Sequence, residues 1–98
     1  MIAKIFHVDD GVSHWVIAET EEQVKEVMRK QYEYMMCDPE YLAGEGMKIE
    51  QWEPDKEFSM QFDSMDKLKL SVADWISLYY IFVNPEHRQP MYWACSEY

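Results

Sequence analysis

Cysteine is scarce in this chain: Cys37 and Cys95 are the only two in 98 residues. A disulfide-stapled secreted domain of this size needs more, so reduced thiols and a cytoplasmic setting are the expectation. The sequence holds no CxxC, no HExxH and no regular Cys/His spacing, which removes the usual metal frameworks. Glycine is equally sparse, with three residues. The one short cluster, Gly44-Glu45-Gly46, lacks the Lys-Ser/Thr of a phosphate-binding loop. No apolar run approaches the ~20 residues of a membrane span; the longest, Leu78 to Val83, has six. Met1-Ile2-Ala3-Lys4-Ile5 leads into an alternating segment rather than an apolar leader, so no secretory signal is expected. Bases are few, nine against nineteen acids, for a net charge of −10. Such a field repels nucleic acid and acidic membranes and steers basic partners inward. Direct nucleic-acid binding and membrane association are therefore not expected. No serine sits in a nucleophile elbow, and no base adjoins Cys95, which reads as a buried structural thiol. The expectation is a protein without catalytic activity or cofactor.

What the chain does have is apolar and aromatic material. The hydrophobic fraction of 48% and aromatic fraction of 15% argue against disorder despite the charge. One compact domain, residues 1–98, is expected at this length. Met1 to Val8, apolar and partly alternating, and His14 to Glu19 read as strands. A two-residue turn at Asp10-Gly11 would make them a hairpin pairing Asp9 with Val12, His7 with His14 and Phe6 with Trp15. Thr20-Glu21-Glu22-Gln23 fits a capping box. It opens a helix over about 20–36, with Val24, Val27, Met28, Tyr32 and Met35 as its apolar stripe. Asp38-Pro39 is the expected stop. Met47 to Glu53 and Phe58 to Phe62 read as strands joined by a hairpin turn at Pro54-Asp55-Lys56, with Leu68 and Leu70 extending the sheet. Ser71 caps a second helix over about 72–83, and Met91 to Ser96 reads as a last strand. The order β-β-α-β-β-α-β implies an α+β domain, an antiparallel sheet with two helices packed on one face. The expected core is Ile5, Phe6, Trp15, Ile17, Val24, Val27, Met28, Phe62, Leu70, Trp75 and Ile76.

Two constellations stand out chemically. In the expected register His7 faces His14, which supplies half of a tetrahedral metal site, with Asp9 or Cys95 as further ligands. Two ligands do not make a site, so no metal is expected and the pair reads more simply as histidines on a sheet face. The second constellation is the acidic segment. From Asp38 to Asp66 there are nine acids against Lys48 and Lys56, so this stretch carries seven of the ten net negative charges. Its plain reading is solubility. Its functional reading is a surface of carboxylates that fits a groove built to neutralise phosphates, with Glu50, Trp52, Glu53, Asp55 and Glu57 contacting the partner and the tryptophan as anchor.

Ser71-Val72-Ala73-Asp74-Trp75, the ending Trp93-Ala94-Cys95-Ser96-Glu97-Tyr98, and Ala18-Glu19-Thr20-Glu21-Glu22 leading into a helix resemble segments of small acidic accessory proteins of bacteriophages and prophages. The loop Val83 to Arg88 departs from that pattern. The resemblance covers about half the chain and includes no catalytic residue. It implies a setting in the host cytoplasm, where such proteins bind and inhibit host machinery such as CRISPR effectors, restriction enzymes or RNA polymerase. The expected function is thus a small acidic protein-binding module, a phage-type inhibitor of a basic nucleic-acid-handling protein. The alternatives are an immunity or antitoxin-type protein for a basic toxin, and a structural phage accessory protein whose acidity gives only solubility. The many aromatic residues are compatible with a homodimer.

Overall fold

A computed structural model describes residues 2–35, 47–61 and 67–95. The fold is α+β. Strands β1 (Lys4–Asp9) and β2 (Ser13–Ala18) lead to helix α1 (Glu21–Tyr34). Strands β3 (Lys48–Gln51), β4 (Glu57–Gln61) and β5 (Lys67–Ser71) follow, then helix α2 (Val72–Phe82), a short 3-10 turn and strand β6 (Met91–Cys95). The main antiparallel sheet has the order β3-β1-β2-β6, and β4 pairs with β5 in a separate ribbon.

The two helices cover opposite faces of the main sheet, which corrects the expectation that they share one. One layer joins Ile5, Trp15, Ile17 and Ala94 to Val72, Trp75 and Tyr79 of α2 and to Phe58 of the ribbon. The other joins Phe6, Val8, Val16 and Ala18 to Val24, Met28 and Tyr32 of α1. The reason lies in β2, where Trp15, Val16, Ile17 and Ala18 are all buried. An uninterrupted apolar strand needs cover on both sides. Each fully buried aliphatic side chain contributes roughly 1.5–3 kcal/mol, so neither face can be left open. Of the expected core, Ile5, Phe6, Trp15, Ile17, Val24, Met28 and Trp75 are buried. Val27, Leu70 and Ile76 are half-buried, and Phe62 lies outside the described residues. Val8, Val16, Val72 and Tyr79, not expected in the core, are fully buried.

The first hairpin is one residue out from the expected register. Its loop is Asp10-Gly11-Val12, and Asp9 pairs with Ser13, Val8 with His14, and His7 with Trp15. Gly11 takes φ 106°, a left-handed conformation that glycine adopts without steric cost. The amide of Gly11 donates to Asp9 Oδ1 at 3.0 Å and that of Val12 to Asp10 Oδ1 at 3.1 Å. These two side chains extend the turn by one residue. Both sheet faces are buried, so alternation could not fix the register, and the turn decides it.

Strand β3 pairs with β1, Phe6 opposite Gln51 and Asp9 opposite Lys48. It does not form the expected hairpin with β4, whose partner is β5. The apolar side of β4 belongs to the α2 layer, where Phe58 stacks on Trp15 with ring centroids 4.7 Å apart. The segment after β3 therefore crosses from the sheet edge onto the α2 face. At the opposite edge, Trp15 pairs with Ala94 and Val16 with Tyr92, so Trp93 is bulged out of register. The bulge turns Trp93 as well as Ala94 toward α2, where Trp93 meets Trp75 at 6.1 Å.

The capping box of α1 is complete: Gln23 N–H donates to Thr20 Oγ1 at 3.3 Å, and Thr20 N–H to Gln23 Oε1 at 3.2 Å. Ser71 caps α2 by accepting from Asp74 N–H at 3.2 Å. The expected stop at Asp38-Pro39 lies outside the described residues.

Candidate functional site

The five residues expected to contact a partner lie where the chain leaves β3 and crosses to β4. Glu50, Glu53, Asp55 and Glu57 are exposed. The loop is held by its backbone. Lys56 N–H donates to Glu53 O at 3.1 Å, closing the turn. The amides of Val72 and Ala73, at the start of α2, donate to Lys56 O at 2.7 Å and Pro54 O at 3.1 Å. The first amides of a helix have no partner within it, and here the acidic loop supplies two. Its carbonyls point into the fold and its carboxylates are left to solvent. Glu50 accepts from Lys56 Nζ at 3.3 Å. Among the described residues, Glu53, Asp55 and Glu57 form no ion pair.

Trp52 is the residue expected to anchor a partner. It is half-buried and packs against the α2 layer. His7 stacks on it at 4.9 Å, and Lys56 Nζ lies 4.9 Å from its ring centroid. Trp52 N–H donates to Ile5 O at 2.9 Å, fixing the chain beside β1. From here an aromatic row runs through Trp15, Phe58 and Trp75 to Trp93 and Tyr79. The tryptophan thus supports the acidic loop from beneath.

His7 and His14 do not come together. In the observed register they sit on opposite faces of the sheet, because His7 pairs with Trp15 and His14 with Val8. His7 Nε2 lies 2.8 Å from Ser13 Oγ. Burial lowers the His7 pKa from its ordinary value of 6.5, although Asp9 and Glu50 pull the other way. Among the described residues no group of three or more His, Cys, Asp or Glu side chains could hold a metal ion.

His14 belongs instead to a partly buried polar chain not foreseen from sequence. Its Nε2 lies 3.1 Å from both carboxylate oxygens of Asp10, and its Nδ1 lies 2.7 Å from Tyr92 Oη. Tyr32 Oη donates to Asp10 Oδ2. An ionised carboxylate only accepts, so His14 Nε2 carries the proton in the Asp10 bond. Burial alone would raise the Asp10 pKa, but hydrogen bonds from Tyr32 and Val12, with His14, hold it below its ordinary value of 3.8. The chain ties the first turn, α1 and β6 together. Two signals point to it: Asp10 and His14 lie four residues apart in and just beyond one tight loop, and Tyr32 places a hydroxyl on an otherwise apolar stripe. Cys95, opposite His14, is a buried free thiol.

Among the described residues no helix is long and apolar enough to cross a membrane. No family model, curated protein or solved structure matches this chain.

Proposed function

We propose that the chain is a small acidic protein-binding module that occupies the basic groove of a nucleic-acid-handling protein, in the manner of a phage-type inhibitor. One observation carries this reading: Glu53 and Asp55, on a loop whose carbonyls are bonded to the start of α2, and Glu57, which opens β4, stand exposed and form no ion pair among the described residues. Unpaired carboxylates on a fixed backbone meet a basic groove with little ordering cost, and their charge accelerates encounter. Glu50 lies at the margin of this surface, partly neutralised by Lys56, and Trp52 holds the loop in place.

The test begins with capture of a partner from nuclease-treated host lysate. Wild-type protein should then displace nucleic acid from that partner, and the association rate should fall as salt rises. Reversing Glu53, Asp55 and Glu57 to Lys should slow association about tenfold or more at low salt while leaving the fold intact, since exposed charges contribute little to stability. Reversing Glu22 and Glu33 on α1 serves as the control. Binding of the triple variant at the wild-type rate would overturn the reading and reduce the acidic loop to a solubility feature.

A further inference from the structure

The two edges of the main sheet differ in character. β3 carries Lys48 and Glu50, and charge on an edge strand discourages further pairing. β6 carries no charge; indeed the stretch from Gln89 to Ser96 has none, in a chain of which 29% is charged. Beside β6 lies a half-open groove of about 560 Å³ between Val27, Lys30 and Tyr34 of α1 and Gln89, Met91 and Tyr92. Tyr34 is 85% exposed on its wall. The bulge at Trp93 interrupts the strand further along, leaving Met91 and Tyr92 as the regular stretch beside the groove.

We propose that the occupant of this groove is the β6 strand of a second copy. Two chains pair β6 with β6, antiparallel about a two-fold axis, and their four-stranded sheets become one continuous sheet. The charge pattern argues for a copy. A two-fold contact needs a self-complementary surface, and the α1 side of the groove carries one acid and one base, Glu26 and Lys30. They lie one turn apart on the helix. When two α1 helices run antiparallel across the axis, Glu26 of each faces Lys30 of the other. Glu26 already accepts from Arg29 at 2.6 Å on its own helix, and a carboxylate retains lone pairs for a second donor. Lys30 holds no ion pair among the described residues. The acidic loop follows β3, which forms the opposite edge of the sheet, three strand spacings or about 14 Å from β6. The exposed carboxylates of that loop therefore stand away from the contact between two chains that each carry a net charge of −10.

Sedimentation of the full chain from micromolar to millimolar concentration, at physiological ionic strength, tests the proposal. Wild type should pass from monomer to dimer. Lys30→Glu sets like charges against each other twice and should weaken the dimer about tenfold or more. The swap Glu26→Lys with Lys30→Glu rebuilds the complementary pair and should restore it. Thermal melts of each variant separate lost association from lost fold. A wild-type chain that stays monomeric throughout would overturn the proposal and leave the groove to a strand of another protein. A Lys30→Glu chain that is folded and dimerises like wild type would overturn it as well, as would a folded charge-swap chain that stays monomeric.

Discussion

His7 shows how one side chain links the surface to the interior. It is held between Trp52 and Trp15, with ring centroids at 4.9 and 5.5 Å. Burial lowers its pKa below the ordinary 6.5, so the unfolded chain binds a proton there more readily than the folded one. Stability from this site is therefore complete above pH 6.5 and declines as pH falls through 6.5 toward the lowered folded value. Asp10 behaves the same way in a lower window. Its folded pKa is also depressed, so the contribution of its network is present above 3.8 and lost as pH falls through the depressed value. Urea unfolding followed across pH should show both declines. His7→Gln should remove the upper one and leave the lower one in place. If the variant loses stability between about pH 7 and 5 as steeply as wild type, the upper decline does not arise at His7.

At the scale of elements, what the sequence disclosed and what it hid separate by range. The starts of both helices were legible because Thr20, Gln23 and Ser71 act on amides three or four residues away. Strand partners were not, because pairing depends on which distant segment arrives alongside. β3 and β4 each read as strands, yet nothing in Glu53-Pro54-Asp55 announces that they enter different sheets. The register of the first hairpin was missed because Asp9 and Asp10 both bond to amides in the turn. The cap of α1 gives a quantitative check. Gln23 Oε1 accepts from the amides of both Glu19 and Thr20, at 2.7 and 3.2 Å. Thr20→Ala should destabilise the fold by about 1 kcal/mol, and Gln23→Ala, which releases two amides, by at least as much. A urea midpoint unchanged in both variants would mean that water satisfies this helix end equally well.

For the whole molecule, the order of strands and helices foretold an α+β domain but not its layering. The uninterrupted apolar run Trp15 to Ala18 is the sign in the sequence that the sheet is covered on both faces. The acidic residues of the candidate site were legible as charge. The bonds that hold their loop were not, since they join residues 54 and 56 to residues 72 and 73. The polar chain from Tyr92 through His14 and Asp10 to Tyr32 escaped for the same reason, drawing its members from four parts of the fold.

The bonds between the acidic loop and the start of α2 also couple two motions. The amides of Val72 and Ala73 can reach solvent only when the carbonyls of Lys56 and Pro54 let go, so loop opening and unwinding of the first helical turn form one cooperative event. Amide hydrogen exchange should report it directly. Val72 and Ala73 should exchange at a common opening rate, slower than the exposed surface and faster than Trp75 in the core. Inserting one glycine after Asp55 should relax the loop and accelerate both amides by the same factor, while Trp75 stays protected. Independent rates at the two amides would show that the loop moves without the helix. If they instead exchange together, a partner that grips the carboxylates stiffens α2, and its binding can be read at a helix it never touches.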